Sequence, residues 1–350
     1  MNILFLTSHA YFPQRTGGSE SSTHNLCQLL KEKGHNTAVI SSLNHHDFIW
    51  LSNRIRSKLF SKLAPKDTFG GYNVYRTWDL KNGLKEVVAD FKPDCVITQA
   101  GENIPIIKDL CEQKIKTFVY LRDVSFDHHG GEYFNHPYLK FIANSDFTAR
   151  RFYEKYSLDA KVIPPIIPPA DYQISISPEK VLFVCPNKEK GIDIALQLAS
   201  KNKDIPFLFL ESWPLNKEQL TILKKKIENL NNVEFLKSQK DMKTIYAKTK
   251  IAIIPSQCEE AWGRIATECQ INGIPVIANN IGGLPESVGT GGILMSHTEF
   301  NIDDWHNALR LLWDNKETFN KYQILAVNHS KRKNVDPSYL IEKLEEYISC

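Results

Sequence analysis

What most constrains this chain is an alternation repeated along its length. A short apolar run is followed by a stretch of helical spacing, and then by another run. In the first half the runs are residues 3–7, 37–41, 95–98, 117–121, 141–144 and 161–163. Runs this short and this poor in charge suit strands buried on both faces, as in a parallel sheet covered by helices. Residues 19–34 support the helical half of the pattern. Serines stand where caps are needed, Leu26, Leu29 and Leu30 share a face, and Gly34 closes the segment. After Ile163 the sequence reads Pro-Pro-Ile-Ile-Pro-Pro, which no helix accommodates. The alternation then restarts at 181–185, 207–211, 233–236, 251–255 and 275–278.

This pattern predicts an α/β chain of two doubly wound, Rossmann-like domains facing a central cleft. The first domain is expected over 1–165 and the second over 178–330, with 164–178 as linker. A C-terminal helix at about 331–350 is expected to cross back to the first. In open parallel sheets ligands sit beyond the carboxyl ends of the strands, so the loops after strands should hold the chemistry.

Composition narrows the classes. The 350 residues suit two domains, and 42% apolar with 24% charged residues is the balance of a globular protein. A net charge of +3 is too weak to argue for nucleic acid; it suits an anionic small molecule or an acidic membrane surface. The seven cysteines (27, 95, 111, 185, 258, 269 and 350) are scattered and form no C-x-x-C pair. That argues against a disulfide framework or a structural zinc site and for a reducing compartment. Residues 2–6 are too short for a signal peptide, and no segment approaches the roughly 20 apolar residues of a membrane span. The expected location is cytoplasmic, at most peripheral on the inner face of the membrane.

The densest chemical signal lies at 255–292. Glu260 and Glu268 stand eight positions apart with Gly263 and Arg264 between them. If a helix begins near Gly263, Glu260 precedes it and Glu268 falls in its second turn. Backbone N–H groups at the helix start then point at an anion between two hydroxyl-accepting carboxylates. A sugar, a diphosphate and a ribose form a ligand with that layout.

The segment resembles the E-x7-E signature of the retaining GT-B glycosyltransferases of family four. It continues into Asn272-Gly-Ile-Pro-Val-Ile-Ala278 and Gly282-Gly-Leu-Pro-Glu286; Trp262 replaces the usual Phe and Cys269 the usual Ala. The resemblance covers nearly the whole chain. It implies that Glu260 binds the donor sugar, Glu268 the ribose hydroxyls, and Ala261, Trp262, Gly263, Arg264 and Ile265 the sugar and diphosphate through their backbone. Lys190 matches the family's phosphate-binding lysine. The family's arginine is missing, with Pro186 near its place and Lys188 as substitute. Gly17 and Gly18 match a Gly-Gly loop that closes on the diphosphate, and Leu236 and Met242 flank the loop near the nucleobase.

One departure falls on the acceptor side. Arg122 stands where the family carries a histidine, with Asp123 beside it; Arg122 serves to stabilise phosphate or to orient an acceptor whose hydroxyl donates to Asp123, or the two pair to hold the loop. His128, His129 and Glu132 do not have metal-ligand spacing, and a lysine with a helix N-terminus can do a metal's electrostatic work. No metal or other cofactor is therefore expected. The implied partners are a UDP- or GDP-sugar and a glycan, lipid-linked or small-molecule acceptor. Residues 48–66 carry five bases and no acid among apolar residues, and are expected either as a peripheral membrane contact or as an ordinary helix or loop. A nucleotide-sugar epimerase or hydrolase, and a non-catalytic binding protein, are the alternatives on this architecture.

Overall fold

Alternate residues of the apolar runs point to opposite sides of two sheets, and each side is covered by helices. In the computed structural model, residues 1–44, 47–99, 101–212, 215–239 and 241–350 are described. The chain divides into two units, Met1–Ile166 with Pro337–Cys350, and Ile167–Asp336.

The first unit holds β1 (Asn2–Ala10), β2 (Asn36–Ser42), β3 (Lys66–Asp67), β4 (Asn73–Thr77), β5 (Cys95–Thr98), β6 (Thr117–Leu121), β7 (Leu139–Ala143) and β8 (Ala160–Val162). Their order is 3-4-2-1-5-6-7-8, and only the short β3 runs antiparallel to its neighbour. Between them lie α1 (Gly18–Glu32), α2 (Phe48–Phe60), α3 (Leu80–Phe91), α4 (Ile104–Glu112) and α5 (Asp146–Tyr156). Ile3, Phe5, Val39 and Ile97 pack with Leu26 and Leu30 of α1, while Leu4, Leu6, Ile40 and Val96 pack with Leu84 and Val87 of α3. The period of two along β1 thus supplies both cores.

β4 does not stand out in the sequence because a charge interrupts it. Arg76 is fully buried there. Its Nε lies 2.6 Å from Asp67 Oδ2, and its remaining nitrogens donate to the carbonyls of Tyr11 and Phe12. A buried charge is tolerated when paired and hydrogen-bonded in this way.

The second unit begins with α6 (Pro169–Tyr172) and holds β9 (Lys180–Val184), α7 (Ile192–Lys201), β10 (Phe207–Leu210), α8 (Lys217–Ile227), β11 (Val233–Leu236), α9 (Lys243–Tyr246), β12 (Thr249–Ile254), α10 (Arg264–Ile271), β13 (Val276–Asn279), α11 (Leu284–Val288), β14 (Gly292–Met295), α12 (Ile302–Asp314) and α13 (Lys316–Ser330). The six strands are all parallel, in the order 11-10-9-12-13-14. Residues 167–177 lie in this unit and not in a free linker. Asn272 donates to Tyr172 O and accepts from Ile174 N, and Ser177 N donates to Ala247 O. The unit runs on to Asp336, and its tail is held where Arg332 donates to Glu286 O. The last helix, α14 (Pro337–Ser349), buries Leu340, Ile341, Leu344 and Ile348 against Ile3, Phe5, Phe118 and Ile142 of the first unit.

Both sheets reverse their winding once. In the first unit the chain leaves β1 toward β2 and β4, then returns to β5 on the other side of β1; in the second it leaves β9 toward β10 and β11, then returns to β12 on the other side of β9. Such reversals open a crevice beyond the carboxyl ends of the two central strands. None of the described helices is long and apolar enough to cross a membrane.

Candidate functional site

In the second unit the loops after β9 and β12 meet at this reversal. Gly191, at φ +81°, caps α7, and a Cβ there would fall 2.0 Å from Pro255 O. Only glycine lets the β9 loop lie so close to the end of β12. Gln257 N–H donates to Glu189 O at 2.7 Å, which joins the two loops, and Asn187 Oδ1 accepts the Lys190 N–H. The result brings together two side chains 70 positions apart: Lys190 Nζ lies 2.5 Å from Glu260 Oε1. Ser256 Oγ donates to the same oxygen at 2.7 Å. Burial pulls the Lys190 pKa down, but the charge and hydrogen bond of Glu260 outweigh it and hold it above the ordinary lysine range. Lys188 is exposed, and its carbonyl accepts from Gly191 N.

The Gly282-Gly283 pair has a steric reason. Side chains there would place Cβ atoms 2.4 Å from the carbonyl oxygens of Glu260 and Ala261, and Gly283 N–H donates to Glu260 O at 2.6 Å. The pair forms a cradle that fixes the backbone at 260–261. Trp262 is buried, its Nε1 donates to Thr267 Oγ1, and the Arg332 guanidinium lies 5.8 Å from its ring centre. Gly263, at φ +90°, is the N-cap of α10, so Arg264 and Ile265 open the helix next to Glu260.

Glu268 is buried in the second turn of α10, and both its oxygens are engaged. Arg264 Nε lies 3.1 Å from Oε1, and the Tyr246 hydroxyl donates to Oε2 at 2.6 Å. Arg264 Nη2 also donates to the Tyr172 hydroxyl at 2.8 Å. Burial, reinforced by the Glu268 charge, pushes Tyr172 up to about 12 and raises Tyr246 well above the ordinary phenol range, so both phenols stay protonated at neutral pH. The side-chain role of Arg264 and the two tyrosines were not visible in sequence. Tyr172 is 92 positions from Arg264 and Tyr246 is 22 from Glu268, and neither belongs to a motif. Leu236 and Met242 are partly buried against the cluster of Leu182, Leu208 and Tyr246.

In the first unit Gly17 is the N-cap of α1, and Gly18 its first residue. Arg122, just after β6, reaches that same helix start: its Nη1 donates to Ser19 O at 2.8 Å and to Thr23 Oγ1 at 3.2 Å, with the guanidinium 4.3 Å from the Tyr120 ring centre. Asp123 pairs with His129, whose Nε2 lies 3.1 Å from Oδ1, and also accepts from Ser125 N. Burial raises the Asp123 carboxyl, but the His129 hydrogen bond and charge and the Ser125 N–H outweigh it, so it lies below the usual carboxylate range. His129 is turned inward among Tyr133 and Phe152, while His128 and Glu132 are exposed.

Two parallel sheets wound about their reversals, each with its polar residues beyond the strand ends, are the architecture of a GT-B protein. The fold matches the crystal structure of Anabaena Alr3699/HepE in complex with UDP-glucose, with a TM-score of 0.77, coverage of 100% of this chain and 99% of that one, and 17% identity. Residues 177–329 match the family model of the glycosyl transferases group 1, which supports a glycosyltransferase. An uncharacterized 42.6 kDa protein in the cps region of Klebsiella pneumoniae is 24% identical over 82% of this chain and 87% of its own length. The D-inositol 3-phosphate glycosyltransferase of Corynebacterium kroppenstedtii is 35% identical over 94 residues, 26% of this chain and only 20% of that protein.

Proposed function

We propose that this chain transfers a sugar from a UDP- or GDP-linked donor to an acceptor hydroxyl, with retention of anomeric configuration and without a metal ion. The observation that carries the reading is the Lys190–Glu260 pair, held against the start of α10 at the reversal of the second sheet. Glu260 has its Oε1 occupied by Lys190 and Ser256, and Oε2 would accept a hydroxyl of the donor sugar. Glu268 would take the ribose hydroxyls, and the backbone of Ala261–Ile265 the sugar and diphosphate. When the bond from the anomeric carbon to the diphosphate breaks, negative charge gathers on the departing oxygen. Lys190, the first N–H groups of α10 and, from the exposed loop, Lys188 would offset it. Leu236 and Met242 would border the base.

Gly17 and Gly18 would leave the first turn of α1 open to a phosphate, and Arg122 beside them would orient the acceptor. Asp123 would accept a hydrogen bond from the acceptor hydroxyl, whether on a glycan, a lipid-linked sugar or a small molecule. Glycan or glycolipid synthesis is the corresponding setting. A peripheral membrane contact through 48–66 is supported by α2, where Phe48, Leu51, Ile55, Leu59 and Phe60 are exposed among Arg54, Arg56 and Lys58.

A thermal-shift screen against UDP, GDP, ADP and dTDP tests the donor reading, because a ligand of the folded state raises its stability by mass action. UDP or GDP should stabilise most; the HepE structure that shares this fold holds UDP-glucose, which supports the UDP arm. No shift with any of the four would sink the proposal. Product anomers read by NMR would then establish or refute retention. Donor consumption with no acceptor dependence would favour the hydrolase or epimerase alternative.

A further inference from the structure

An arginine as the first residue of a helix is electrostatically out of place, because the helix dipole already puts positive charge there. Arg264 holds that position in α10, partly buried, and its partners include Glu268 Oε1 at 3.1 Å and the Tyr172 hydroxyl at 2.8 Å. Tyr172 is anchored in turn through its carbonyl, which accepts from Asn272. On its other oxygen Glu268 accepts from Tyr246 at 2.6 Å. The carboxylate is therefore held at both oxygens from opposite partners, and its plane is fixed.

Each carboxylate oxygen offers two lone pairs, so one fixed donor per oxygen leaves one acceptor site on each. Two acceptors side by side in a fixed plane match a vicinal diol, whose two hydroxyls donate in parallel. A carboxylate free to rotate loses that match. We infer that Arg264 is a positioning residue that makes the nucleotide site selective for an intact ribose over a deoxyribose, acting through Glu268. This rests on the donor reading above. Tyr246 shares the task from the other oxygen, and Tyr172 keeps the guanidinium from swinging away.

The test compares the affinity of UDP with that of 2′,3′-dideoxy-UDP by calorimetry, or the GDP pair where the thermal screen selects GDP. Wild type should prefer the intact ribose by about tenfold or more, the scale of a hydrogen bond to a charged group. Arg264→Leu should cut the preference below about threefold, weakening the intact form far more than the dideoxy form. Tyr172→Phe, which removes only the hydroxyl that anchors the guanidinium, should lower the preference by a smaller factor and serves where Arg264→Leu does not fold. A wild-type ratio in the folded variant overturns the inference. So does an equal loss of both affinities, which would make Arg264 merely structural. A wild type that binds neither nucleotide refutes the donor reading instead, and this inference falls with it.

Discussion

The polar residues beyond the two sheets are held in opposite ways. In the second unit they hold one another: Lys190 pairs with Glu260 and Arg264 with Glu268. In the first unit they are tied to the scaffold, Arg122 to the carbonyl of Ser19 and Asp123 to His129. A mutually paired site loses charge balance when one member is removed. A scaffold-tied residue loses local structure first. The difference teaches that the two halves should fail differently when mutated, and each experiment below can break or sharpen that contrast.

The largest effect is expected at the mutual pair. Glu260→Ala and Lys190→Ala should each lower turnover by roughly 10²–10³-fold, the scale of removing one preorganised electrostatic contact. Glu260→Ala should leave free-nucleotide affinity nearly intact. Steady-state kinetics beside calorimetry would separate these, and equal loss of affinity for nucleotide and nucleotide sugar would contradict the sugar-binding role. Next, Glu268→Ala should weaken nucleotide binding by about 1–3 kcal/mol. Unchanged affinity would remove Glu268 from the ribose site.

On the first unit, Arg122→Leu and Asp123→Asn should slow transfer with donor affinity unchanged. Asp123 adds a pH signature. Its folded pKa lies below its unfolded value near 3.9, so its stabilisation is present above that value and fades as pH falls through the folded one. The gap in melting temperature between wild type and Asp123→Asn should therefore close in acid. A gap that persists in acid would remove the charge from the account.

Smaller still is the expected change at α2. Leu59→Glu with Ile55→Glu should abolish sedimentation with anionic vesicles while leaving turnover on a soluble acceptor intact; equal sedimentation would make α2 an ordinary exposed helix. Last comes a null result. EDTA should not change the rate, and loss of activity restored by a divalent ion would overturn metal independence.

How much could be read in advance follows the same contrast. Glu260, Gly263, Glu268 and the Gly282-Gly283 cradle lie within one stretch of chain, so close spacing exposes them. Most strands were equally legible because unbroken apolar runs mark them. β4 was not, since Arg76 interrupts it and its partner Asp67 comes from another strand. β14 was missed as well; it begins at Gly292, whose Cβ would collide with Val276 O, a glycine demanded by sheet packing that looks like a turn signal in sequence. Tyr172 and Tyr246 could not be read at all, because a phenol becomes a donor to Glu268 or a partner of Arg264 only once the fold has brought it there.

The helix α14 has a consequence for the order in which the protein is made. Its four buried side chains complete the core around β1, a strand made long before it. The second unit is one continuous stretch and can form as soon as it has left the ribosome, whereas the first must wait, with β1 incompletely covered, until α14 emerges. The usual precedence of the N-terminal domain is reversed. A chain cut at Asp336 would keep a whole second unit and an unfinished first one, and the apolar surface left open around β1 would be where such a fragment aggregates.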